Sequence, residues 1–159
     1  FRGGPEYTYR LVLSSGPQIF FLYPPAGQLG ITTTHTVYGR NLPGSDPIRR
    51  IRLGNRLLDV METQISVDLL ERFDASTRIR RAMVPARSYR LRNGTSVSNE
   101  IPLGVATAPL VLETETDRGA DSQNLSVPCE IQGRFDRTRD IDRYQFEARK
   151  GDKFWIEVF

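Results

Sequence analysis

The chain of 159 residues holds one cysteine, one histidine, one tryptophan and two methionines. With Cys129 alone, no internal disulfide can close and no cysteine-based zinc cluster can form. Cys129 follows Pro128 with no histidine near it in sequence to activate a thiolate, so it reads as a packed cysteine. His35 stands among threonines and reads as an ordinary surface or core histidine. No apolar run approaches the roughly 18 residues that a membrane span needs. Phosphate loops, dinucleotide fingerprints and nucleophile elbows are missing too, which argues against catalysis. Lysine is scarce: all but two of the 22 basic residues are arginine, set against 19 acidic ones for a net charge of +3. That balance fits a solvated surface and gives no reason to expect nucleic acid. There is no initiator methionine or signal peptide, and the sequence stops inside an apolar alternation, so we expect a window of a longer chain.

What is present is β sequence. Ten prolines and 13 glycines punctuate short alternating runs, the pattern of an all-β protein. Charge and apolar content are ordinary, which argues against disorder. A first strand is expected around Tyr7, Tyr9, Leu11 and Leu13, and a second over Ile19–Tyr23. A third is expected at Thr32–Tyr38, rich in the β-branched residues that suit a pleated surface. Gly39 to Gly44 reads as a turn-rich break. Ile48, Ile51 and Leu53 lead through Gly54-Asn55 into Leu57, Leu58 and Val60, a hairpin. Val67–Phe73 is long enough for a helical turn or two, a connector rather than a core helix. Further strands are expected at Ala82–Val84, Tyr89–Leu91 and Val97–Val105, with Asn93-Gly94 as a hairpin turn. Ala106–Gln123 reads as a linker, and Val127–Gly133 resumes strand sequence. Tyr144, Phe146 and Ala148, the turn at Lys150–Lys153, and Phe154, Ile156 and Val158 read as a closing hairpin.

These boundaries divide the chain into a strand of a preceding module (1–16), a β-sandwich (17–107) and the opening half of another domain (108–159). The string Pro24–Leu42, a Pro-Gly turn followed by Gly30, an alternating strand and Gly39-Arg-Asn-Leu, resembles the IPT/TIG immunoglobulin-like domain. That resemblance implies a small sandwich acting as a spacer or interaction module. The closing segment resembles the bacterial pre-peptidase C-terminal domain. The residues that carry this are Glu113-Thr-Glu115, Pro128–Gly133, Asp140-Ile-Asp142-Arg-Tyr144-Gln-Phe146 and Lys150-Gly151-Asp152. Gly3–Leu13 is similar to the last strand of that same domain type. Together the resemblances imply an all-β chain, an immunoglobulin-like sandwich flanked by partial jelly-roll-like modules. They also imply an extracytoplasmic setting like that of long planctomycete-like surface proteins.

The resembled domain also implies a calcium site, with Glu113, Glu115, Asp117, Asp140 and Asp142 as candidate ligands and Asp136 nearby. Converging carboxylates and carbonyls are what Ca²⁺ requires. Here Asp117-Arg118 replaces the family's Asn-Asp pair and brings a cation to the site. The plainer alternative is a solvated acidic linker with aspartates paired to Arg137, Arg139 and Arg143. Asp140 and Asp142 share one side of a strand edge amid arginines that would lower both pKa values, which suits ion pairing or metal binding better than glycoside hydrolysis. Arg78, Arg80, Arg81, Arg87, Arg90 and Arg92 form the densest basic cluster. It could track an anionic polymer or an acidic neighbouring domain, or be a solvated face balanced by Glu71, Asp74 and Glu100; only Tyr89 is near enough to stack, short of a base platform. Trp155 could stack on a sugar, although burial under a covered face is the expected state. Asn93-Gly-Thr and Asn124-Leu-Ser fit the glycosylation sequon. The expected role is a non-catalytic spacer or scaffold whose partners are neighbouring domains of its chain and surface polysaccharide or protein polymer. The alternative is a calcium-stabilised polymer-binding accessory of a secreted hydrolase or peptidase.

Overall fold

The computed structural model describes residues 4–5, 8–45, 48–72, 85–114, 122–136 and 138–158. Its strands in chain order begin with β1 (Gln18–Tyr23), β2 (Ala26–Gln28), β3 (Thr32–Arg40), β4 (Ile51–Leu53) and β5 (Arg56–Ser66). After a 3₁₀ turn at Val67–Leu69 come β6 (Glu71–Arg72), β7 (Ala86–Tyr89), β8 (Arg92–Asn93), β9 (Ser96–Val97) and β10 (Ile101–Ala106). The closing segment adds β11 (Leu110–Leu112), β12 (Gln123–Leu125), β13 (Glu130–Gln132) and β14 (Tyr144–Phe146). The chain is all-β: among the described residues there is no α-helix and no sheet closes into a barrel.

Two four-stranded sheets, ordered β1-β3-β5-β4 and β2-β10-β7-β6, form a sandwich. Ile19, Leu22, Val37, Ile65 and Val67 meet Tyr89, Leu91 and Leu103 in one core. Burying such aliphatic side chains is worth about 1.5–3 kcal/mol each, so this layer dominates the fold. Ile19 and Leu22 are three residues apart, yet both face inward, because the β1–β3 register slips between Ile19 and Phe21. A one-residue bulge of this kind re-aims the side chains beyond it. Phe21 is thereby sent to the outer face, where it stacks on Tyr38 at 4.5 Å. Asn99 clasps the sheets together, accepting the Ile19 N–H at 2.7 Å and donating to the Ile19 carbonyl at 2.9 Å.

Several expectations hold. Gly54 and Gly94 occupy the hairpin turns with φ of +60° and +56°, the left-handed region that glycine tolerates best. The 67–73 connector contains one 3₁₀ turn. Others need correction. Gly39 lies inside β3 rather than in the break, where an added Cβ would overlap the Gln18 carbonyl oxygen; glycine is required there for backbone approach, not for a turn. The strand expected at 89–91 lies instead at Ala86–Tyr89. Leu53 of the expected hairpin does not face the core and is 53% exposed on the edge strand β4. Residues 8–15 pair with no described strand, and Tyr9, Leu11, Val12 and Leu13 are exposed. The strand expected at Ala82–Val84 lies outside the described residues. The 106–123 stretch is more than a linker, since its Leu110–Leu112 is a strand parallel to β13.

The closing hairpin is also corrected. Its turn forms, with Gly151 at φ +100° and Asp152 bonded to Arg149. Yet β14 pairs in parallel with β12, and residues 154–158 form no strand. The ladder partners of β14 come from Gln123–Leu125, and what joins the two arms is an edge-on contact of Phe146 with Phe154 at 4.9 Å. Trp155, expected buried, is 85% exposed.

Candidate functional site

The site grows from the place where the closing segment meets the sandwich. β1 ends at Tyr23, and Pro24-Pro25 turns the chain across to β2 in the opposite sheet, where Ala26 to Gln28 run parallel to β10. This corner meets β13. The Ala26 N–H donates to Gln132 Oε1 at 3.2 Å, and the Tyr23 hydroxyl donates to the Gln132 carbonyl, also at 3.2 Å. Gln132 is buried, so its side-chain amide oxygen satisfies a backbone donor that the interior would otherwise leave unpaired. Arg134 lays its guanidinium 4.4 Å from the centre of the Tyr23 ring, a cation–π geometry. At the start of the segment, Glu130 Oε1 gathers the Thr107 amide and hydroxyl and the Ala108 amide at 2.5–3.3 Å.

The Gln132 carbonyl also takes the Glu113 N–H at 2.9 Å, which sets Glu113 beside β13. Its carboxylate accepts the Arg134 N–H at 2.7 Å. Gly133 makes this approach possible, since a Cβ there would sit 2.6 Å from Glu113 Oε2. Asp140, Asp142 and Tyr144 alternate toward the less exposed side of their segment. Asp142, Asp140 and the Tyr144 phenol lie close enough to act on the Glu113 carboxyl through their charge and dipoles. Burial pushes the Glu113 carboxyl up, the Arg134 bond opposes it, and Asp142 and Asp140 push it up further. The Tyr144 phenol is pushed up to about 12, by burial first and then by Glu113 and Asp142. Asp140 closes the neighbouring turn by accepting the Asp136 N–H at 2.9 Å, and Asp136 pairs with Arg134 at 3.3 Å.

The structure therefore brings together Glu113, Asp142 and Asp140 among the expected ligands. Glu115 and Asp117 lie outside the described residues, as does Arg118. Among the described residues, no three Asp, Glu, His or Cys side chains are arranged to hold a metal ion. The donor chemistry suits a hard cation, but Glu113 and Asp142 supply only part of a shell. Such a pair can hold a cation between them.

Tyr23, Gln132, Gly133 and Arg134 were not anticipated as site residues. Gln132 belongs to an expected strand, but nothing in its local pattern shows a partner 106 residues away. Of the arginine cluster, Arg90 pairs with Glu100 at 3.0 Å and Arg92 is exposed on β8. Arg87 turns to the face of Leu103, its register partner, and buries an Nε that has no partner among the described residues. These three do not form one stripe, while Arg78, Arg80 and Arg81 lie outside the described residues. Cys129 is half-buried. Asn124 of the second sequon is bonded by Gln145 at 2.5 Å, at an open groove of about 740 Å³ lined by residues 124–127 and 145–147. No helix among the described residues is long and apolar enough to cross a membrane. No protein-family model, curated protein or solved structure matches the chain, so the reading of its role rests on this geometry and on the sequence.

Proposed function

We propose that this chain is a non-catalytic structural and interaction module of a secreted or cell-surface bacterial protein, an IPT/TIG-like sandwich followed by a pre-peptidase C-terminal-like segment. It acts as a spacer that holds its neighbours in a set orientation. The observation that carries this reading is the buried Gln132, whose side-chain and backbone oxygens receive Ala26 and Tyr23. A loosely tethered pair of units would leave these groups to water; here they fix one unit on the other. The first test is turnover: the isolated chain should hydrolyse no peptide, ester or glycoside in a broad panel. Hydrolysis that Asp140→Asn or Asp142→Asn abolishes would overturn the proposal.

A second reading, a calcium-stabilised accessory that binds a polysaccharide or protein polymer, is favoured by the convergence of Glu113 with Asp142 and Asp140. Glu115, Asp117 and backbone carbonyls would complete the shell. Exposed Trp155 and the amides of Asn124 and Gln145 along the groove offer the stacking and hydrogen bonding that a sugar chain uses. Retardation in gels containing surface polysaccharide, lost on Trp155→Ala, would favour it; unchanged mobility across a set of such polymers would count against it.

A further inference from the structure

His35 sits in the middle of β3 with no exposed surface. Its Nδ1 lies 2.8 Å from the Pro24 carbonyl oxygen, so Nδ1 carries the proton and donates. Nε2 is then a bare acceptor, buried and without a partner among the described residues. Gly27 and Val67 close over it: a Cβ on Gly27 would stand 3.9 Å from Nε2 and 2.8 Å from Val67 Cγ1. Burial lowers the imidazole pKa from its ordinary 6.5, while the Pro24 bond pulls it up.

Among the described residues, the elements around the ring offer no anion to a second ring proton. Thr63, opposite His35 on β5, is uncharged, and Tyr89 on the facing sheet has a phenol that burial pushes above its ordinary value and so keeps neutral. Asp68, beside Val67, takes the Gly30 N–H at 2.7 Å and the Ser66 hydroxyl at 3.3 Å. β2 and β10 carry no charged side chain. On the facing sheet, Arg87 of β7 is a cation and would repel the charge.

We propose that His35 is an acid-sensitive latch on the corner that docks the closing segment: protonation frees Tyr23–Gln28 and, with it, the hold of the sandwich on Gln132. The step is a proton moving from solvent to the Nε2 lone pair. It creates an N–H donor without an acceptor and a buried charge without a partner, both costly in an apolar site. Expelling the ring relieves both and removes the donor from Pro24. The same corner supplies the Tyr23 hydroxyl and Ala26 N–H to Gln132. Because the docked state has the lowered pKa, the open state binds more protons as the pH falls below about 6.5. Docking is therefore fully present above about 6.5 and weakens by up to about tenfold per pH unit below it, until the lowered value is reached.

This latch rests on the spacer reading, and the test separates the two. Since His35 is the only histidine, imidazole ¹⁵N resonances of the labelled full chain between pH 7.5 and 4.5 need no assignment. A proton on Nδ1 and a midpoint below 6.5 are expected; a proton on Nε2, or a midpoint at or above 6.5, overturns the latch. Amide hydrogen exchange, corrected for intrinsic rates, supplies the second arm. At pH 7.5 residues 130–134 should be protected, and their absence of protection sinks the spacer reading itself. On acidification, 23–28 and 130–134 should lose protection before 33–39. Protection that acid leaves intact, or loss in a single step with 33–39, sinks the latch alone. His35→Asn keeps an amide donor for Pro24 without titrating and should flatten the response; the wild-type response persisting in it also contradicts the latch. If that variant fails to fold, the wild-type titration decides.

Discussion

The N–H of Ala26 ends on the side-chain oxygen of Gln132, 106 residues further along the chain. One buried amide thus joins the sandwich to the segment that follows it. Gln132→Leu keeps the bulk but leaves the Ala26 donor unpaired. An unsatisfied buried donor costs about 1–3 kcal/mol, and the variant should melt earlier by that amount in chemical denaturation. An unchanged midpoint would mean that water replaces the bond freely.

Asp142→Asn exchanges a repelling carboxylate beside Glu113 for an amide able to donate to it. Without metal, the variant should be at least as stable as wild type. If Glu113 and Asp142 hold calcium, the wild type gains roughly 2.7 kcal/mol when calcium exceeds its dissociation constant about 100-fold, and the variant gains none. Melting curves with calcium and with chelator distinguish a cation site from an acidic pair that holds no ion. Equal curves for the wild type in both buffers would remove calcium from the account.

Gly39→Ala should be costly for a site far from either unit's ends. The added methyl would land on the Gln18 backbone oxygen and within 3.0 Å of Leu42 Cδ2. Overpacking of a fixed core costs about 1–3 kcal/mol, sometimes more, and here it pushes β1 from β3. Loss of amide protection along β1, other than at Ile19, whose N–H is held by Asn99, would mark the separation. A fully protected β1 in the variant would show that the bulge absorbs the methyl.

These sites show how far the sequence could be read. Alternation and turn glycines located β1, β3, the β4–β5 hairpin and the Asn93-Gly94 turn, because pleat and turn geometry are local. Gly39 was misplaced because a glycine that admits a neighbouring backbone has the same composition as one that turns a chain. Glu113 with Asp140 and Asp142 was legible through resemblance and strand alternation. Gln132 and Tyr23 were not, since their contacts depend on how β13 docks on a corner formed far earlier. The closing hairpin failed for a related reason: period two marks extended chain but does not choose its partner, and β14 found β12.

Trp155 gives an optical check on that last correction. As the sole tryptophan, it should fluoresce as a solvent-exposed indole and be quenched efficiently by acrylamide in the folded chain. A blue-shifted, protected emission would show the ring covered, by this chain or by a second copy.

The sandwich and closing segment hold one orientation through Gln132 and Tyr23. Spin labels at Asn55 and Lys150, both exposed, in a Cys129→Ser background report it directly through their distance distribution. One narrow distribution is expected at neutral pH, broadened when Gln132→Leu is combined with Tyr23→Phe. A broad distribution in the parent that the double change leaves untouched would contradict it.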